Sequence, residues 1–355
     1  MATKTAAARP KRSGAKAKAR SRRAAVPRSR STSSRSSAAD AKDRVPPRTR
    51  DQVHRKTKER ARPKKRVGLV DAWADAIRRE VARPAFQRDP EFLKKLLPLM
   101  ELWGRYFDAE VRGWENVPSK GPMMLVGNHS GGMLTPDTSA VMAGWYRERG
   151  LDEPLIGLAF DSAFGIPGFR DLMRKIGQVP ANWQNVGKAL DEGAAVLVYP
   201  GGVHEVYRPW KDRDKVDFGG HKGFIRVVLE KRVPVVPIVG HGGHHTLMVL
   251  TRGEKLAKLF RMERLRMKEY PILLQIPWGV STPAFPGVPL PAKVTVQILK
   301  PIDWRKLSPK AAQDPAVIDR CYAEITGKMQ QAMDALAKET PHPIRARLKR
   351  LVRRS

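Results

Sequence analysis

The period of the hydrophobic positions changes repeatedly along the chain, and each change marks an element. Residues 123–126, Met-Met-Leu-Val, form a short apolar run bounded by Gly121-Pro122 and Gly127, the pattern of a buried strand. Similar runs occupy 155–160, 194–199, 233–239 and 294–299. Between them the apolar spacing lengthens to three and four, which predicts helices over 136–150, 167–176, 182–193 and 222–231. Thr135-Pro136 and Asn182 open two of these, and Gly150, Gly177 and Gly193 close three. Such alternation predicts an α/β fold, a mainly parallel sheet flanked by helices. Two amphipathic helices are expected ahead of it, over 67–86 and 90–111. In the second, Phe92, Leu96, Leu99, Met100, Trp103 and Phe107 share one stripe. That stripe suits docking on a core or, with Lys94 and Lys95 beside it, seating in a membrane interface. Residues 270–291, rich in Pro and Gly and carrying Trp278 and Phe285, are expected to form a long apolar loop, and 309–339 a closing helix.

Charge divides the chain differently. Residues 1–66 hold 24 Lys and Arg against 4 Asp and Glu, a net +20 of the +33 total; residues 341–355 add +6 and leave an ordinary +7 for 67–340. The first segment has almost no large apolar side chain to offset the entropy of ordering, so a disordered basic tail is expected there, with a second, short basic tail over 341–355. Counterion release would let such a tail bind an anionic membrane surface or nucleic acid. Residues 1–66 contain no aromatic residue, which excludes base stacking by that segment and leaves the membrane as the favoured partner. Cys321 is the single cysteine, so no internal disulfide can form, and a cytoplasmic setting is expected. With no apolar stretch of about 18 residues, membrane contact is expected to be peripheral.

Candidate chemistry concentrates in three loops that follow strands. In 128–137, NHSGGMLTPD, His129 and Asp137 fall in one strand-to-helix crossover. A histidine beside a carboxylate can act as a general base, because the carboxylate holds one tautomer and stabilises the imidazolium. Each also has a plainer use: Asp137 suits a first helical turn, and His129 could hydrogen-bond a nearby carbonyl. The second loop is Pro200-Gly201-Gly202-Val203-His204-Glu205, whose glycines allow close backbone approach to a ligand. The third, Gly240-His241-Gly242-Gly243-His244-His245, offers zinc-type ligands, but three histidines so close together lack helical or hairpin spacing, and no metal is expected. An esterase is a weak alternative, since the chain contains no G-x-S-x-G elbow.

The order and content of these segments, over roughly 111–302, resemble the glycerolipid acyltransferase superfamily, in the branch nearer to diacylglycerol acyltransferase-like and ester-synthase-like proteins. Asn128-His129 with Asp137 is similar to the family's first block, 164–180 with Gly165, Phe169 and Gly177 to its second, Tyr199-Pro200-Gly201-Gly202 with Glu205 to its third, and 233–239 to its fourth. Seven residues separate His129 from Asp137 where the family pattern has four, and Leu134 stands at the usual Asp position. Gly201, not glutamate, follows Pro200, and Gln178-Val179-Pro180 follows Gly177 without the arginine associated with glycerol phosphate. The resemblance implies a fatty acyl transfer from a thioester donor, acyl-CoA or acyl carrier protein, to the hydroxyl of a lipid acceptor: a lysophospholipid, a glycerolipid or a long-chain alcohol. No cofactor is implied. His129 and Asp137 would be catalytic, with Asn128, Gly131, Gly132, Gly201, Gly202, Glu205 and Lys222 around the substrates, Lys222 facing the phosphates of coenzyme A. It also implies a membrane-seating role for 67–111 and an acyltransferase domain over 112–340. The rival is a non-enzymatic basic protein that binds membrane or nucleic acid.

Overall fold

The buried runs pair into one sheet in the computed structural model, which describes residues 69–81, 86–132, 135–166, 168–265, 268–285 and 287–353. The segment 1–66 expected to be disordered lies outside the described residues. The seven strands are β1 (Glu110–Arg112), β2 (Met123–Gly127), β3 (Leu155–Ala159), β4 (Gln178–Pro180), β5 (Ala195–Val198), β6 (Val235–His241) and β10 (Thr295–Ile298), in the order β1-β10-β6-β2-β5-β3-β4. The five from β6 to β4 are parallel; β10 runs antiparallel to β6 and carries β1 parallel to itself. The predicted α/β class with a mainly parallel sheet is therefore the observed one.

Alternate side chains of β2 feed two cores. Met124 and Val126 join Val196, Val235 and Val239 on one face, beneath α5 (Trp183–Asp191), α7 (Gly223–Lys231) and α9 (Pro315–Glu339). Met123 and Leu125 join Leu197, Val236 and Ile238 on the other, beneath α2 (Pro90–Tyr106) and α3 (Pro136–Arg149). Burial on both faces explains why the central strands read as continuous apolar runs.

Four expectations are corrected. The helix expected over 90–111 stops at Tyr106 and the chain turns into β1, an edge strand too short and charged to show a pattern. The stripe of α2 divides: Phe107 is buried and Met100 and Trp103 pack on the same core, whereas Leu99, with Leu102 beside it, is 60% exposed, so Trp103 and Phe107 serve the core and not a bilayer. The expected loop over 270–291 contains β8 (Ile272–Gln275) and β9 (Gly279–Ser281), which pair antiparallel with β7 (Met248–Thr251) as a second, three-stranded sheet. Finally, 341–355 contains α10 (Pro343–Val352) rather than a free tail. Buried Arg347 donates to the carbonyls of Arg105 and Tyr106 at 2.8 Å each, covering the C-terminal end of α2 where its last carbonyls lack helical partners. The first helix, α1 (Leu69–Val81), buries Ala74 and Ile77. Among the described residues, no helix is long and apolar enough to cross a membrane.

Candidate active site

Neighbouring strands β6, β2 and β5 end on one edge of the sheet, so the three candidate loops meet there, at the carboxyl ends of parallel strands where α/β folds bind ligands. Asn128 follows β2 and closes the gap between two of them. Its Nδ2 donates to the Gly240 carbonyl at 2.9 Å and its Oδ1 accepts from the Gly240 N–H at 2.8 Å, so the side chain extends the β2–β6 ladder after the backbone has left it. Buried and fully engaged, Asn128 is a pin and not the substrate contact expected from the sequence.

The loop from His129 then doubles back. Gly131 and Gly132 adopt φ of +79° and +66°, and Thr135, at the helix boundary, has φ of +33°. Thr135 occupies the cap position but makes no side-chain cap hydrogen bond; a β-branched residue there stores strain. This geometry lets Asp137 return across seven residues: its Oδ2 lies 3.5 Å from His129 Nδ1. Asp137 is also fixed by donors, with the Ser130 N–H at 3.0 Å and its hydroxyl at 3.1 Å on Oδ2, and the Thr138 N–H at 2.7 Å on Oδ1. The positive φ of Gly131 and Gly132 calls for glycine at both positions, and a Cβ on Gly131 would also meet the Pro136 ring at 2.6 Å.

Three groups from other loops hold His129. The His129 N–H donates to Glu205 Oε2 at 3.0 Å. Glu205 Oε1 accepts from Arg208 at 2.6 Å, and both members of this ion pair are buried. Burial pushes the Glu205 carboxyl above its ordinary value, against the pull of the Arg208 guanidinium and the backbone N–H groups of His129 and Asp217. Buried His244 lies against the His129 backbone. Burial, then the Arg208 charge, holds the His244 imidazole well below its ordinary 6.5, so it is neutral. The third group is Tyr199, whose ring stacks on the His129 imidazole with centroids 4.2 Å apart and planes 14° from parallel. Gly127 makes room for it, since a Cβ there would lie 2.5 Å from the tyrosine ring.

Of the residues expected around the substrates, Glu205 thus supports His129 from a fully buried position and does not face a ligand. Gly201 and Gly202 open the short helix α6 (Gly202–Val206) that carries Glu205; a Cβ on Gly201 would lie 2.7 Å from Glu205 itself. Lys222 is not brought to the dyad. It pairs with Asp319 on α9 at 2.7 Å, with its ammonium over the Tyr322 ring. Tyr199, Arg208 and His244 were not among the expected site residues. The i, i+3 spacing of Glu205 and Arg208 is a visible signal for a helical ion pair, whereas the contacts of Tyr199 and His244 depend on the tertiary fold.

The three histidines of the last loop divide. His244 turns to the dyad, while His241 and His245 face Asp214 from the segment after Trp210–Asp212. Among the described residues, these last three could hold a metal ion: one ligand atom from each lies within 4.8 Å of the others, with His241 Nε2 3.5 Å from Asp214 Oδ1. Burial and the neighbouring His241 bring His245 down to about 4, the neutral form a metal ligand needs.

What this arrangement provides is an imidazole fixed in plane and position, with a carboxylate behind one nitrogen, at the edge of a parallel sheet. Part of the chain is similar to known acyltransferases. The acyltransferase family model matches residues 108–240. An uncharacterised protein of Mycobacterium tuberculosis is 27% identical over 285 residues, covering 77% of this chain and 75% of its own. Phytyl ester synthase 2 of Arabidopsis thaliana is 26% identical over 254 residues, covering 68% of this chain and 36% of its own. The 1-acyl-sn-glycerophosphate acyltransferase PlsC of Thermotoga maritima has a solved structure that is 20% identical and has a TM-score of 0.42, covering 74% of this chain and 87% of its own. The match to the acyltransferase family thus covers residues 108–240, the stretch that carries His129, Asp137 and Glu205.

Proposed function

We propose that the protein moves a fatty acyl group from a thioester, carried by coenzyme A or acyl carrier protein, to the hydroxyl of a lipid acceptor, working peripherally on a membrane surface. The observation that carries this reading is the His129–Asp137 pair, supported by Glu205, His244 and Tyr199. With Nδ1 turned to Asp137, His129 presents Nε2 to the acceptor. In the reaction, Nε2 takes the hydroxyl proton as the acceptor oxygen attacks the thioester carbonyl. The new ester C–O bond forms, the C–S bond breaks, and the imidazolium returns its proton to the departing thiolate. Asp137 stabilises the imidazolium between the two transfers, and the rigid seat of His129 removes the entropy of finding the attacking geometry.

The acceptor is a lysophospholipid, a glycerolipid or a long-chain alcohol. The name of the Arabidopsis relative, an ester synthase, supports including the last of these. To test the reading, the full-length protein would be incubated with radiolabelled acyl-CoA, or acyl carrier protein, and each acceptor in turn. The expected result is a labelled ester that forms only with acceptor present. Release of free fatty acid alone, with no ester from any acceptor, would contradict it and favour a hydrolase.

A further inference from the structure

The three-stranded sheet has two apolar faces. Its inner face buries Val249 and Leu273 against Val206 and Tyr207, at the end of the helix that carries Glu205. On the outer face Leu274 pairs with Val280, which is 68% exposed. The turn between β8 and β9 adds Ile276 and Trp278, 57% and 52% exposed. A solvated face of an antiparallel sheet normally alternates to polar residues, and contiguous exposed apolar surface of this kind marks an interaction site. The patch continues onto α8 (Glu254–Leu259), where Leu259 is 72% exposed. Phe260 connects it to the hairpin by packing on Tyr270, whose hydroxyl is 3.1 Å from Thr282. Beside these apolar residues stand exposed Lys255, Lys258, Arg261 and Lys268, and residues 252–269 hold seven Lys and Arg against three Glu.

We propose that this face, the β8–β9 hairpin with the end of α8, is the surface by which the enzyme docks on an anionic lipid bilayer. Apolar and aromatic side chains ringed by cations match a headgroup boundary, where the rings enter the acyl region and the ammonium and guanidinium groups meet anionic phosphates. The other occupants fit less well. A second copy would bring the same cations against each other, and the segment 1–66, which is strongly basic and without aromatics, cannot cover an apolar sheet. Docking here also sets the site beside the lipid. The inner face of the sheet packs on α6, and Leu247, just before β7, fills the space over Gly132 in the loop that carries His129. The inference rests on the reading above that the acceptor is a lipid.

The test is flotation of the full-length protein with phosphatidylcholine vesicles, with and without phosphatidylglycerol, at low and high salt. High salt screens the basic segments and leaves the apolar contribution. Wild type should bind the anionic vesicles and retain measurable binding at high salt. The triple variant Ile276→Ser, Trp278→Ser, Val280→Ser should lose that salt-resistant binding by about tenfold or more, since burying one large side chain is worth roughly a tenfold change. Lys255→Glu with Lys258→Glu should lower binding only to the anionic vesicles. Both variants should keep wild-type transfer to detergent-dispersed acceptor, which also confirms that they fold. His129→Ala should float like wild type without transferring, so failure of the chemistry is separable from failure of docking. Unchanged flotation of the triple variant overturns the proposal. So does a wild-type dimer in light scattering that the triple variant converts to monomer, which would assign the face to self-association.

Discussion

Replacing Glu205 by Ala separates two roles for that residue. If Glu205 touched substrate, its loss would weaken binding and leave the fold intact. Its buried position against Arg208 at 2.6 Å and the His129 N–H at 3.0 Å leads to a different outcome. Breaking a buried ion pair by removing one partner leaves an uncompensated charge and costs about 3–5 kcal/mol. The orphaned His129 N–H adds roughly 1 kcal/mol. For a folded region of this size about 2 °C of melting temperature is lost per kcal/mol, so Glu205→Ala should melt roughly 8–12 °C below wild type. The loop bearing His129 loses its anchor, and a displacement on the order of 1 Å is enough to lower kcat about a hundredfold. Thermal unfolding, with urea titration for the free energy, and initial-rate kinetics on the same preparation provide these numbers. The double variant Glu205→Leu, Arg208→Met should recover much of the stability, because it removes both charges together, yet remain slow. The reasoning is refuted if Glu205→Ala is within about 1 kcal/mol of wild type and only KM for the acceptor rises.

Other consequences follow from single contacts. Gly127→Ala puts a Cβ 2.5 Å from the Tyr199 ring and should push that ring off His129, lowering kcat with little change in KM; Tyr199→Leu should act in the same direction. His244 is buried neutral with its folded pKa well below the unfolded 6.5, so the unfolded chain binds the extra proton. Its contribution to stability is therefore complete above pH 6.5 and is lost as the pH falls below that value, and His244→Asn should flatten urea-midpoint curves on the acid side. Lys222→Ala should cost at most about 1 kcal/mol, as expected for an exposed pair, and leave KM for acyl-CoA unchanged in initial-rate assays, since Lys222 is engaged by Asp319.

The central strands and the His129–Asp137 pair were legible in the sequence for physical reasons. Strands buried on both faces leave unbroken apolar runs, and one crossover held both side chains within ten residues. The parts that were missed share the opposite property. β1 is three residues with charged ends, and β8 and β9 lie among prolines and glycines that mask their alternation. Six basic residues made 341–355 read as a tail, although buried Arg347 is what ties α10 to the end of α2. Around the site, the supporting contacts join loops far apart in sequence: Tyr199 over His129, Glu205 to its N–H, and His244 to its backbone. Asn128 and Glu205 were recognised as important, but burial and hydrogen bonding, which set their tasks, are tertiary facts.

The central claim is that His129 is the base in acyl transfer, and single-turnover transfer by His129→Ala, beside wild type, tests it most directly. The imidazole stacks on Tyr199 and faces Asp137, but Asp137 keeps its Ser130 and Thr138 donors without it, so the variant should melt close to wild type. Its transfer rate, measured with thioester and acceptor both saturating, should fall by about two to four orders of magnitude, as loss of a general base requires. A variant that folds and transfers within a few-fold of wild type would contradict the assignment and require another residue on this sheet edge to take the proton.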